Sequence, residues 1–213
     1  TTVYMVLVAI LVATPIGILA SVYLQEYAKQ GKVVRVIRFA TECLAGIPSI
    51  VYGLFGGIFF VVALKLQYSI LSGGLTVAII ILPTIIRSTE EALKTVPSTY
   101  REASLGLGAT KFQTLYKVIL PSAIPGILSG VILSIGRVIG ESAAILLTAG
   151  TVAKMPLTVF DSARTLTVHA YLLTKETGDI QTACGVGIVL IVIVFGLNTI
   201  AKLVAKKLNK ANY

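Results

Sequence analysis

Residues 102–121 read EASLGLGATKFQTLYKVILP, a polar insert between two apolar runs long enough to cross a bilayer. Local chemistry predicts its form. Thr99-Tyr100-Arg101-Glu102 and Thr110-Lys111-Phe112-Gln113 both have capping-box spacing, in which a threonine and an acid or amide three residues on satisfy the first free amides of a helix. Gly106 and Gly108 lie between them, and Pro121 closes the second run. The expectation is two short helices with a glycine break, where the chain turns or approaches another backbone closely. Leu105, Leu107, Phe112, Leu115 and Tyr116 give the insert more apolar surface than a connector needs. A short helix laid in a partner's groove is one recurring docking mode, and an interfacial helix resting on lipid is the alternative that the pattern leaves open.

Working outward, composition sets the solvent. Of the 213 residues 56% are hydrophobic and 13% charged, with mean hydropathy +0.93. Soluble domains run near a quarter charged, so this is a membrane protein. The two cysteines, Cys43 and Cys184, form no CxxC and no cluster with the single His169, so neither a metal site nor a disulfide framework is visible. The chain opens Thr1-Thr2 inside an apolar run, which reads as a fragment lacking its natural N-terminus. No cofactor is expected.

A bilayer core needs about 20 apolar residues as helix. Five segments meet or approach this: 2–24, 44–64, 69–86, 123–149 and 182–204. The third is short and follows the second through Lys65-Leu66-Gln67-Tyr68, which predicts a tight antiparallel pair. Pro15, Pro48 and Pro83 mark places for kinks or unwinding in the first three spans. The intervening stretches 25–43 and 87–122 read as loops, all within one transmembrane domain covering 1–213.

Charge then assigns sides. Lys29, Lys32, Arg35 and Arg38 lie in the first loop, and Arg87, Lys94, Arg101, Lys111 and Lys117 in the 87–122 loop. Lys202, Lys206, Lys207 and Lys210 lie in the tail. If all five spans cross, these thirteen cations share a side, against Lys65, Lys154, Arg164 and Lys175 on the other. The positive-inside rule puts the 87–122 loop and the C-terminus in the cytoplasm and Thr1 outside, so one earlier span would make six. The net charge of +9 is thereby topological, and nucleic acid is not needed to explain it. The cysteines fall on opposite faces.

Two further features carry chemistry. Gly108-Ala-Thr-Lys111 lacks the Gly-Lys-Ser/Thr ending that would hold phosphate and magnesium, so no nucleotide site is read in the chain. Arg137 and Glu141 sit inside the fourth apolar run, at i, i+4 spacing that predicts one helix face. A charge at mid-membrane costs about 2.5–3.5 kcal/mol, so such residues face protein or water. At 1.5 Å per residue from Ala123, Arg137 would lie about 21 Å along the helix, on its outer half. Gly126, Gly130 and Ser134 make one row of small residues and Gly136, Gly140 and Ala144 another, each suited to a close helix neighbour. The pair is either a brace between helices or an anion path. A guanidinium fork matches phosphate or sulfate oxygens, and a carboxylate beside it can accept a proton only from hydrogen phosphate.

The insert resembles the cytoplasmic coupling loop of permease subunits in ATP-binding-cassette importers. That pattern runs Glu-Ala-Ala, three residues, Gly, nine residues, Ile, one residue, Leu-Pro. Glu102, Ala103, Gly108, Leu120 and Pro121 fall at the required spacing, while Ser104 and Val118 depart from it. The stretches 136–150 (GRVIGESAAILLTAG), 166–171 (LTVHAY) and 15–27 (PIGILASVYLQEY), with Asn198, resemble the A-type permease of phosphate-specific importers. The resemblance covers essentially the whole chain.

It implies an all-α permease fold of the type I importers, with five of six transmembrane helices visible, in a bacterial or archaeal cytoplasmic membrane. The implied partners are a homologous C-type permease forming a heterodimer, two cytoplasmic ATPases, and an extracytoplasmic phosphate-binding protein that Lys154, Asp161, Arg164, His169 or Asp179 would touch. The chain itself would not be an enzyme. Glu102, Ala103, Gly108, Leu120 and Pro121 would couple to the ATPases, and Arg137 and Glu141 would line the anion's path. Rival readings are a C-type phosphate or sulfate permease, an ion-coupled carrier or channel working without an ATPase, and a purely structural membrane subunit.

Overall fold

The computed structural model describes residues 1–210; residues 211–213 and the side chains at 201 and 204–210, including the tail cations Lys206, Lys207 and Lys210, lie outside the described part. The described residues form helices and no strand. Helix α1 (Thr2–Val22) widens into a π turn over Tyr23–Tyr27, and α2 (Lys32–Ala45) precedes α3 (Ser49–Gly56), which widens over Gly57–Ala63. Helix α4 (Ile70–Thr95) is followed by the short α5 (Ser98–Gly106) and α6 (Lys111–Thr114). The latter passes through a π turn, Leu115–Ile119, into α7 (Leu120–Gly140). Helices α8 (Ala143–Leu146), α9 (Leu166–Leu172, widened over Leu173–Thr177) and α10 (Ile180–Lys210) complete the chain.

Among lipid tails, burying one apolar helix against another gains little hydrophobic free energy, so close packing of small residues has to hold the bundle. Helix α1 supplies Met5, Ala9, Ala13, Gly17 and Ser21 at four-residue spacing, all buried, against Val77, Ile81 and Ile85 of α4 in the same core. A Cβ on Gly17 would come 2.6 Å from the Ile85 side chain, so only glycine permits this approach. Ser21 Oγ donates to Ile86 O at 2.9 Å, a bond that lipid could not replace. Helix α7 meets α4 through Gly126 and Gly130, seated on Ala92 and Ser88.

Hydrogen bonds at the helix ends fix the topology. Thr2 Oγ1 accepts from Leu166 N. The first amides of α4 and its cap, Ser69, Ile70 and Leu71, donate to the carbonyls of Thr148, Asp161 and Val159. The starts of α1 and α4 therefore share the face built by residues 148–166. At the far ends, Arg101 just beyond α4 bonds Glu26 just beyond α1. The two helices run parallel, and the chain between them has to cross back.

It does so through a right-angle elbow. Helices α2 and α3 meet at 99° and together are long and apolar enough for one bent span, which with α1, α4, the α6–α7 helix and α10 makes up to five. Pro48 caps α3 at the elbow, and Tyr52 Oη donates to Leu44 O across it at 2.7 Å. From Ser49 to Ala63 the helix is only about 22 Å long, against a hydrocarbon core of about 30 Å. Lys65 and Gln67 reach the next helix through left-handed φ angles of 54° and 56°.

Several expectations are corrected here. The 25–43 stretch contains helix α2, while the elbow at Pro48 falls at one of the three prolines expected to mark a kink. The third span is not short: it runs on from Ile86 to Thr95, 26 residues in all. Its polar end stays helical because Arg87 pairs with Glu91 and Lys94 with Glu90 at i, i+4. The fourth span ends at Gly140 and not at Ala149. Pro15 and Pro83 lie within continuous α1 and α4, and the π turns fall elsewhere.

Candidate coupling loop and anion path

Between α4 and α7 the chain makes the two short helices that the capping pattern suggested, and Thr110 caps the second. Its Oγ1 accepts from Gln113 N at 3.2 Å while Gln113 Oε1 accepts from Thr110 N at 2.9 Å. Thr99 does not cap: α5 begins at Ser98 behind Pro97, so the Thr99 to Glu102 spacing falls inside the helix. Gly108 has φ +84° with nothing within 4 Å of a Cβ built there. It is therefore needed for backbone conformation and not for space.

Pro121 does not end the second run either. The π turn over Leu115–Ile119 carries the helix through, with Leu120 N donating to Leu115 O, and Ser122 Oγ donates to Val118 O at 2.7 Å.

The loop presents an apolar surface. Leu107 is 90% exposed, Phe112 66% and Tyr116 64%, and the two rings stack at 6.3 Å. Tyr100 and Leu105 are also exposed, whereas Leu115 is buried in the helix cluster and drops out of the expected set. Of the residues at motif positions, Glu102, Ala103 and Gly108 are exposed, and Leu120 and Pro121 half-buried in the helix behind them. Helix α5 has no buried residue. It is tied to the body by Arg101, whose Nη2 donates to Glu26 Oε1 at 2.7 Å and to Leu93 O at 3.1 Å, and whose Nη1 donates to Val96 O at 3.0 Å. Neither Arg101 nor Glu26 stood out in the sequence, because 75 positions separate them.

The structure parts the second candidate pair. Helix α7 stops at Gly140, and Glu141 adopts extended backbone at ψ 130°. The carboxylate turns forward, Oε1 accepting from Ala144 N at 3.2 Å to start α8. Thr167 Oγ1 donates to Ile139 O at 2.6 Å, taking up a carbonyl of the last α7 turn. Arg137 and Glu141 accordingly share no helix face and are not joined by an ion pair among the described residues. Arg137 is exposed, and its Nη1 donates at 3.4 Å to Thr84 Oγ1 on α4. The row of Gly136, Gly140 and Ala144 breaks with the helix, and the two glycines face open space.

Two other polar places were missed or weighed lightly. Glu90, with an 8% exposed side chain, receives Arg38 at 3.2 Å and Lys94 at 3.9 Å, beside a cleft of about 240 Å³. Arg38 came from a stretch read as loop, so nothing in the sequence joined it to Glu90. His169 lies in an apolar cleft of about 680 Å³ among α1, α7, α9 and α10, and its buried Nδ1 has no partner among the described residues. On the same face Asp161 Oδ2 accepts from Thr158 N and Leu157 N. Those two amides hold the Asp161 carboxyl below its usual range.

Four helices long and apolar enough to cross a membrane, a bent pair that makes a fifth when taken as one span, and no strand among the described residues define a helical membrane protein. Residues 13–211 match the family model described as binding-protein-dependent transport system inner membrane component, and the chain belongs to that family. It is 39% identical over 186 residues to the probable ABC transporter permease protein YqgI of Bacillus subtilis, covering 81% of this chain and 63% of that one. It is 39% identical over 194 residues to the phosphate transport system permease protein PstA of Mycobacterium leprae, covering 90% and 64%. The chain thus spans just under two thirds of the length of these relatives. A solved inward-facing structure of the MetNI methionine ABC transporter superposes with TM-score 0.76 at 20% identity, over 97% of this chain and 90% of that one. This places the fold among ABC importer permeases of type I.

Proposed function

We propose that the chain is the transmembrane permease subunit of an ATP-driven importer of inorganic phosphate, with ATP hydrolysed by a partner. The observation that carries the reading is the coupling loop: Gly108 at positive φ between two short helices, with Leu107, Phe112 and Tyr116 exposed on its surface. A connector in water gains nothing from such a surface, whereas an ATPase groove would bury it. Support for phosphate comes from relatives named as phosphate transport permeases.

In this reading the loop lies in the cytoplasm, as the cation count favours. A homologous permease completes the pathway, two ATPases grip the loops, and an extracytoplasmic binding protein delivers the anion to the opposite face. Glu102, Ala103 and Gly108 shape the docking helix, while Leu120 and Pro121 root it in α7. Arg137 meets the anion with its exposed guanidinium fork. Glu141 serves the path by holding α7 and α8 apart at the break.

The test is uptake of labelled phosphate against labelled sulfate by the assembled transporter in vesicles. Phosphate alone should accumulate, dependent on ATP. Leu107→Asp should lose the ATPase on purification, and Arg137→Ala should abolish uptake while retaining it. Uptake of sulfate in place of phosphate, or transport with no ATPase present, would overturn the reading.

A further inference from the structure

We propose that Arg101 and Glu26 are positioning residues of the transport cycle, tying coupling helix α5 to the end of α1 so that movement received at the loop is carried into the body of the chain. The inference rests on the permease reading above and adds a load path to it. Helix α5 buries no residue of its own, so specific bonds have to set its position. One guanidinium supplies three of them, to acceptors from two different helices.

Two acceptors, Leu93 O and Val96 O, belong to the closing turn of α4, where carbonyls have no intrahelical donor. The third is the Glu26 carboxylate, in the π turn that ends α1, with the two side chains only 25% and 11% exposed. A planar fork reaches three such acceptors at once, which a lysine ammonium on its flexible stem does not. The other half of the loop grips the same turn, since Lys111 Nζ stands 5.4 Å over the ring of Tyr27. Ser104 and Thr114 close the loop on itself through a hydroxyl contact of 2.9 Å. Exposed ion pairs contribute little, but one that is partly buried and shares its donors with backbone is costly to break from one side.

The experiment uses the assembled transporter in proteoliposomes, with Cys43 and Cys184 replaced by serine and nitroxides attached through Thr99→Cys, exposed on coupling helix α5, and Leu11→Cys on α1. Glu26→Ala should broaden the distance distribution between the labels. ATP hydrolysis should continue while the phosphate moved per ATP falls by about fivefold or more, the lower end of coupling between sites. Arg101→Lys should act alike, and Glu26→Gln, which keeps an acceptor for the guanidinium, should recover part of the ratio. A brace needed only for assembly would leave both readouts unchanged in every variant that assembles. An unchanged distribution, or an unchanged phosphate-to-ATP ratio, in both Glu26→Ala and Arg101→Lys overturns the proposal. A parent assembly that hydrolyses ATP yet moves no phosphate would instead overturn the choice of cargo, and the label distances would still judge the tie.

Discussion

Gly108 shows how a single backbone angle can shape the exposed loop proposed to dock the ATPase. At φ +84° with open space around it, any other residue costs about 1–2 kcal/mol through the backbone alone and meets no clash. Gly108→Ala should therefore leave the bundle folded and lower the fraction of ATPase recovered with the permease. Gly106→Ala, in the last turn of α5 and equally uncrowded, should not. Residue spacing made the glycine break between α5 and α6 legible, as it made the Thr110 cap legible, because both depend on neighbours only a few positions away. Arg101 and Glu26 were illegible for the opposite reason: each is an ordinary charged residue until the fold sets them 2.7 Å apart.

At the scale of elements, the packing of α7 on α4 can be tested one glycine at a time. A Cβ on Gly126 would come 2.6 Å from Ala92 Cβ and 3.3 Å from its Cα, whereas one on Gly136 meets nothing within 4 Å. Gly126→Val should cost about 1–3 kcal/mol by overpacking, read as a lower unfolding temperature in detergent, while Gly136→Ala should leave that temperature unchanged or raise it. The rows of small residues were visible in the sequence, yet the helix end that separates their fates was not. An apolar run from Ile139 to Ala149 is compatible with continued helix. What stops it is Thr167, taking the Ile139 carbonyl from 28 residues away, and Glu141 turning to cap a new helix. The α4 end misled in the opposite sense, since its charges look like loop until Glu90 is seen to be surrounded by Arg38 and Lys94.

For the whole molecule, the parallel course of α1 and α4 assigns residues to two faces without reference to charge. Leu157, 87% exposed, lies with the 148–166 segment, and Leu107 lies with the coupling loop. With Cys43 and Cys184 replaced by serine, Leu157→Cys should react with a membrane-impermeant thiol reagent on intact cells, and Thr99→Cys, exposed at the start of α5, only after the membrane is opened. The reverse pattern would mean that the cation excess does not mark the cytoplasm.

The seal over the start of α4 has a mechanical consequence. Its opening amides are held by carbonyls of Thr148, Asp161 and Val159, and Ser69 Oγ takes up the amide of Ser72. Peeling the 148–161 segment away would strand several donors at the membrane surface in one step. On the proposed reading, the segment and the helix beneath it move as one plate, and any opening on that face falls at the edge of this pair and not between its two members.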